Sequence, residues 1–259
     1  MTTDSSILIV GAAGRAGRAV TAEARARGHR VTAVVRDPDR HAAPAADPGV
    51  RLVAGDITDA ARMAELAPGH RAAVHAVSPF SGPEQGFAGL DPDFFVKAAD
   101  ALLGSGVPRL LVIGLFADLL DGAGRPLLED PARLPPPIVP FARAHTAGLA
   151  RLRAAPDSAA DWLTLTPPAA LDPALPRTGR YAFGGDHAPA RDTPLSYADL
   201  AVAVLDESEH PTRHRTRVSV LGVPCGGPAA ATATAPGPPA PAAPPPPAPP
   251  PSRRPPPRR

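Results

Sequence analysis

The chain opens on an unbroken apolar run. Ser6–Val10 carries Ile7, Leu8, Ile9 and Val10 in succession, with no polar face, as expected for a parallel strand buried on both sides. The run stops at Gly11, and helical spacing takes over across Arg15–Arg27, with Gly28 as its C-terminal stop. The alternation then repeats: strands at Val31–Val35 and Arg51–Ala54, a helix at Asp59–Leu66 capped by Thr58 or Asp59, a strand at Arg71–Val77, a helix at Asp91–Leu103, and a strand at Arg109–Ile113. Strands separated by helices need right-handed crossovers. They predict an α/β fold with a doubly wound parallel sheet covered on both faces.

After Gly114 the pattern loosens. Leu115–Pro140 is rich in Pro, Gly, Asp and Leu and reads as a long loop with room for a helical turn; loops of that length in a compact domain are usually functional or partly disordered. Helical spacing returns over Phe141–Ala155, with Leu149 and Leu152 on one face. Trp162–Leu165 reads as a strand and Thr178–Asp186 as a short strand ending in a turn. Ser196–Glu207 is an amphipathic helix with Ser196 as N-cap and Asp199 at the capping-box position, and Thr216–Leu221 is a last short strand. These later elements form a small C-terminal, substrate-side portion. From about Pro224 the chain is nearly all Pro, Ala and Gly. Such a stretch cannot build a core, so the expected organisation is one domain over 1–223 and a disordered Pro/Ala-rich tail over 224–259. A Pro-rich ligand for a partner domain is the functional alternative for that tail.

Composition narrows the classes. The 259 residues include no apolar run of about 20, so no membrane span is expected. The N-terminus enters the first strand without a basic region and apolar core, so no signal peptide is expected. The lone Cys225 rules out an intramolecular disulfide and a cysteine metal cluster, and it fits a reducing cytoplasm. Among His75, His145, His187 and the carboxylates of the 115–140 loop, no metal-ligand spacing such as H-x-x-x-H occurs. The formal charge is only +2, and Arg253, Arg254, Arg258 and Arg259 crowd the last few positions, leaving the body near neutral. A nucleic-acid partner is therefore not expected. The partner expected is a small-molecule substrate, with the oligomeric state open between monomer and homodimer.

The chemistry sits where the first strand ends. Gly11-Ala12-Ala13-Gly14-Arg15-Ala16-Gly17 spaces three glycines as G-x-x-G-x-x-G between a strand and a helix. Gly11 takes the tight turn, Gly14 lets the backbone approach a pyrophosphate, and Gly17 packs helix on strand. The first-turn N–H groups and the helix dipole then hold the anion. Gly11, Ala13, Gly14, Arg15, Ala16 and Gly17 are thus expected to bind a dinucleotide. Arg36 follows the second strand, where a guanidinium pairs with a 2′-phosphate, so NADP is preferred and NAD remains possible. The bland alternative for Arg36 is a surface pair with Asp37 or Asp39. Asp56, with Ile57 beside it, follows the third strand, placed to accept from the adenine amino group or to form a turn. Val77 and Ser78 end the fourth strand on the pyrophosphate and nicotinamide side of the crevice; the alternative for Ser78 is a turn set by Pro79.

Gly11-x-x-Gly14-Arg15-x-Gly17, Val-Val-Arg36-Asp37 and Gly55-Asp56-Ile57 together resemble the atypical short-chain dehydrogenase/reductase group, which includes NmrA-like NAD(P)-binding proteins and biliverdin-IX-beta/flavin reductases. Asp161–Pro168, Thr178–Tyr181 and Ser196–Ala201 fit the same group in order and spacing, so the resemblance runs from about Ile7 to Leu221. It implies a Rossmann-like, NAD(P)H-binding protein, usually NADP-preferring. It also implies that Pro167–Ala170 passes near the nicotinamide, which adds Pro167 to the cofactor residues. The departure is equally specific. Typical short-chain dehydrogenases place a Tyr-x-x-x-Lys pair where this chain has Phe141-Ala142-Arg143-Ala144-His145, and Gly114-Leu115-Phe116 stands where their serine is found. Phenylalanine has no proton to donate. His145, at the lysine-like position, is a candidate to touch the nicotinamide ribose or shuttle a proton near neutral pH; Ser78 is the other catalytic candidate. His75 is expected in the core with a satisfied ring nitrogen. Asp118, Asp121, Glu129 and Asp130 are expected to be solvated loop carboxylates. The resulting reading is an NADP(H)-dependent oxidoreductase passing hydride to a flavin, quinone or other planar carbonyl acceptor. Phe80, Phe116 and Phe141 are the expected pocket walls, and solvent supplies the proton. A non-catalytic NADP-sensing regulator and a nucleotide-sugar-type epimerase are the alternatives.

Overall fold

A computed structural model describes residues 5–41, 47–80, 89–156, 158–189 and 193–223. The central sheet uses β1 (Ser6–Val10), β2 (Arg30–Val35), β3 (Val50–Ala54), β4 (His70–His75), β5 (Arg109–Ile113), β6 (Asp161–Thr166), β8 (Tyr181–Phe183) and β10 (Thr216–Gly222). Helices α1 (Arg15–Ala26), α2 (Ala60–Leu66), α3 (Phe94–Leu103), α4 (Val139–Arg153) and α5 (Tyr197–Glu209) cover it. The strand order is β3-β2-β1-β4-β5-β6-β10-β8, parallel except for the β8 edge, which runs antiparallel to β10. The doubly wound sheet expected from the apolar runs is therefore the fold. Strand order reverses between β1 and β4, which opens a crevice at their carboxyl ends.

Alternate residues of each strand feed opposite layers. Ile7 and Ile9 pack with Val20 and Ala24 of α1 and with Leu200 and Val204 of α5. Leu8 and Val10 pack on the other face with Met63, Ala98, Leu102 and Trp162. Burying both faces explains why β1 contains no polar position. Helices α3 and α4 cross closely because Gly148 has no side chain: a Cβ there would sit 2.6 Å from Phe95 Cβ. That crossing lays the first turns of α4 over Phe95. At the opposite end of the sheet, buried Arg109 pairs with Asp161 at 2.6 Å and with Glu207 at 3.0 Å, tying β5, β6 and α5 together.

Three local expectations change. Ser196 caps α5 by accepting from the Asp199 N–H at 2.9 Å, but the Asp199 carboxylate does not complete a capping box. It receives the N–H groups of Thr178 and Gly179 and the Thr178 hydroxyl at 2.7–2.9 Å, bolting the loop before β8 onto α5. Three donors outbid one backbone N–H for a carboxylate. The 115–140 segment is built rather than loose. It holds three single 3₁₀ turns, at Phe116–Asp118, Leu127–Glu129 and Pro136–Ile138, around a small core of Ala117, Leu134 and Ala142. A two-strand parallel pair, β7 (Leu171–Asp172) with β9 (Leu195–Ser196), is too short for the sequence pattern to announce. Cys225 and the 224–259 tail lie outside the described residues, in which no helix is long and apolar enough to cross a membrane.

Candidate functional site

The loop after β1 is built by steric necessity. Gly11 has φ of +88°, and a Cβ there would meet the Ala76 carbonyl oxygen at 2.7 Å and Val77 Cγ2 at 2.9 Å. Gly11 thus presses against the end of β4 at the switch point. A Cβ on Gly17 would stand 2.1 Å from the Gly11 carbonyl oxygen, so α1 tucks directly under the loop. The Gly11 N–H donates to the Val34 carbonyl at 3.0 Å, and the Arg18 guanidinium donates to the Ala13 carbonyl at 2.7 Å. Gly14 is the N-cap of α1 and offers no side chain to the free N–H groups of Arg15, Ala16 and Gly17; the first turn also contains no acidic residue. An uncapped helix end with a positive dipole and no competing carboxylate fits a pyrophosphate.

The flanking cations separate. Arg15 is exposed and its guanidinium lies over the Tyr197 ring of α5, 5.8 Å from the centroid. Arg36 is exposed just beyond β2 and has no hydrogen-bond or ion-pair partner among the described residues. The surface pair considered above does not form: Asp37 accepts from Arg40 at 3.0 Å and from the Asp39 N–H at 3.2 Å. Asp56 closes a turn by accepting from the N–H and hydroxyl of Thr58 at 2.9 and 2.8 Å, and it stays exposed beyond β3. Ile57 is buried in the core with Met63 and Leu66.

At the ends of β4 and β6, Ser78 is exposed and its hydroxyl accepts from the Phe80 N–H at 3.4 Å. Val77 is half-buried, donating its N–H to His75 Nδ1 at 3.3 Å, and Pro167 is buried directly after β6. Phe141 stands edge-on to Phe80 at 5.7 Å and to Phe95 at 5.8 Å, while Phe116 packs in the small cluster with Ala117 and Leu134. His145 lies on the same aromatic group, 3.7 Å from the Phe95 ring and 4.8 Å from Phe141. Burial and the nearby His75 push the His145 imidazole down to about 3. Desolvation thus favours the uncharged ring. His75 is buried, stacked on Phe95 at 5.8 Å, and held down to about 4 by desolvation.

Asp118 departs from expectation. Instead of a solvated loop carboxylate it is a buried group, 5% exposed. The 3₁₀ turn after β5 folds it inward beside Thr146 of α4, whose hydroxyl lies 2.5 Å from Asp118 Oδ1. Burial pushes its carboxyl group up to about 6 against the opposing pull of Thr146, Arg217 and Arg153. Its only sequence signal is a small apolar stretch, Leu115-Phe116-Ala117 with Leu119-Leu120, surrounding one acid.

The glycine-spaced loop at the switch point of a parallel sheet agrees with what the chain is similar to. The sequence profile of the NAD(P)H-binding family matches residues 11–211. The Bacillus subtilis protein YwnB, itself uncharacterised, is 34% identical over 221 residues, 82% of this chain and 96% of that protein. A solved Streptococcus pneumoniae protein, named as a candidate NADH-flavin reductase, is 25% identical with a TM-score of 0.69, covering 84% of this chain and 99% of that one. A solved Bacteroides thetaiotaomicron protein, named as a candidate epimerase, is 26% identical with a TM-score of 0.73, covering 87% and 100%. With a glycine-spaced loop between β1 and α1 and a family match across most of its length, the chain belongs to the NAD(P)H-binding family.

Proposed function

We propose that this protein is an NADP(H)-dependent oxidoreductase of the atypical short-chain type, reducing a planar acceptor such as a flavin or quinone without a Tyr-x-x-x-Lys pair. The observation that carries it is the aromatic wall in place of that pair. Phe141 stands at the tyrosine position, edge-on to Phe80 and Phe95, near the carboxyl ends of the strands. Such a wall positions a flat ring by stacking, and positioning is the main task when the nicotinamide supplies the hydride. Gly11, Gly14, Arg15, Ala16 and Gly17 hold the pyrophosphate, with Ala13 beside them. Asp56 and the Ile57 backbone flank the adenine, Val77 and Ser78 line the pyrophosphate side, and Pro167 lies against the nicotinamide. Arg36 pairs with the 2′-phosphate, which favours NADP over NAD. The relative named as an NADH-flavin reductase supports the choice of acceptor.

The same replacement of tyrosine by Phe141 favours one second reading, a non-catalytic NADP-sensing regulator. One experiment separates them. Fluorescence titration with NADPH and NADH, on the full chain and on a form ending at Pro224, measures cofactor choice, and NADPH oxidation against flavins and quinones measures turnover. Tight NADPH binding with turnover supports the reductase. Tight binding with no turnover on any acceptor supports the sensor. Binding of neither nucleotide refutes both.

A further inference from the structure

We propose that Asp118 is the proton donor of this site, a neutral carboxylic acid that Thr146 holds beyond the carboxyl end of β5. The proposal rests on the reductase reading for its chemistry, whereas the state of the acid is argued from the fold alone.

Four carboxylic side chains are buried among the described residues: Glu23, Asp118, Asp199 and Glu207. Glu23 pairs with Arg27 and Arg177, Glu207 pairs with Arg109, and Asp199 takes three donors. Asp118 alone of the four has, among the described residues, a single partner for its carboxyl group, the neutral Thr146 hydroxyl. The cations nearby are committed elsewhere. Arg217 donates to the Asp118 backbone carbonyl and pairs with Asp186, and Arg153 also pairs with Asp186, at 3.3 Å. The remaining titratable groups facing it are His75 and His145, which line the same cavity and are both held neutral by burial. A buried carboxyl group without a cation is most stable uncharged.

Proton counting points the same way. The Thr146 hydroxyl has one proton and two oxygens within reach, Asp118 Oδ1 at 2.5 Å and the Ala142 carbonyl at 3.0 Å. If Asp118 carries the proton, it donates to Thr146 Oγ, and Thr146 donates to Ala142; both contacts are then hydrogen bonds. The cavity beside them has a volume of about 20 Å³, enough for one water molecule. Its lining includes Gly114 at the end of β5, both histidines, and Thr164, whose buried hydroxyl has no hydrogen-bond partner among the described residues. The chain thus places an acid, a water-sized cavity and two neutral rings against α4, the helix that carries Phe141 in place of a tyrosine.

The step balances simply. Hydride moves two electrons and one hydrogen nucleus from the reduced nicotinamide to the flavin or quinone, leaving an anion on that acceptor. The O–H bond of Asp118 breaks, and its proton forms a new N–H or O–H bond on the acceptor. The carboxylate then regains a proton from solvent. The sum is reduced nicotinamide, acceptor and one proton giving oxidised nicotinamide and the two-electron-reduced acceptor.

The first test needs no cofactor. Difference infrared spectra of the full chain against Asp118→Asn are recorded between about pH 5 and pH 8. The expected result is a carboxylic-acid C=O band near pH 5 that bleaches toward pH 8 and is missing in the variant. The second test is reduction of FMN and of a soluble quinone by NADPH. Asp118→Asn is expected to lower kcat by about 10²-fold or more and to abolish the fall in rate on the alkaline side, with KM for NADPH unchanged. Thr146→Val is expected to shift that alkaline limb rather than remove it. Absence of the infrared band, or a variant matching the wild type in kcat and pH profile, overturns the proposal. A wild type that reduces no acceptor overturns the reductase reading and the donor role with it, while the band still reports whether the acid is neutral.

Discussion

The buried state of Asp118 has a thermodynamic signature that can be measured without knowing any substrate. Its carboxyl group is pushed from an ordinary 3.8 to about 6 in the folded chain. Between about pH 4 and pH 6 such a carboxyl group is protonated in the native state while already ionised in the unfolded chain. Its contribution is fully present below about pH 4 and is lost as pH rises through about 6. A shift of about two units corresponds to about 3 kcal/mol at roughly 1.4 kcal/mol per unit. Asp118→Asn keeps the size and the donor to Thr146 but cannot ionise. Urea unfolding of both proteins from pH 4 to pH 8 compares them directly, with unchanged m-values as the two-state check. The expected result is equal pH dependence below about pH 4. The variant then gains relative stability as pH rises, levelling off near 3 kcal/mol above about pH 7. Carboxylates lowered by their cations, such as Glu23 and Glu209, lose stability on the acid side in both proteins and cancel in the difference. Parallel stability curves across the whole range would refute a buried, neutral Asp118.

Four further outcomes follow from named contacts. Arg36→Ala is expected to weaken NADPH binding by about 10–100-fold in a fluorescence titration while leaving NADH nearly unchanged, since a hydrogen bond to a charged group is worth about 1.5–3 kcal/mol; equal losses would remove Arg36 from the 2′-phosphate. Gly17→Ala places a Cβ 2.1 Å from the Gly11 carbonyl oxygen, so it should lower stability by roughly 1–3 kcal/mol and abolish nucleotide binding together, read by thermal unfolding and titration. Arg109→Ala takes the closer of two guanidinium partners from buried Glu207, leaving it Arg213 at 3.4 Å and the Thr212 hydroxyl, and should cost about 3 kcal/mol in urea unfolding, more than the Arg109→Met, Glu207→Leu double substitution. Gly148→Ala should lower the melting temperature by forcing α4 away from Phe95, where its Cβ would stand 2.6 Å from the Phe95 Cβ.

The α/β alternation, the glycine loop and the position of Arg36 were legible because each depends on near neighbours in the chain. An apolar run with no polar face has to be buried on both sides, and a glycine spacing between strand and helix encodes its own turn. The roles expected of Gly11 and Gly17 reappear as contacts with Ala76 and with the Gly11 carbonyl, since the strand–loop–helix unit is local. The capping box at Ser196 shows where local reading ends: Asp199 found better donors on Thr178 and Gly179, some twenty residues upstream. Asp118 shows it more sharply. In the sequence it is one of several loop acids, and only the folding of that loop onto Thr146 and Arg217 removes it from water. The same holds for His145, whose neutrality comes from Phe95 and Phe141 closing around it rather than from its place in the helix. Local spacing thus settled which backbone could form, including the turn from β1 into an uncapped α1. Tertiary packing decided which side chains lost their water, because desolvation depends on every element that closes around a group and not on its neighbours in the chain.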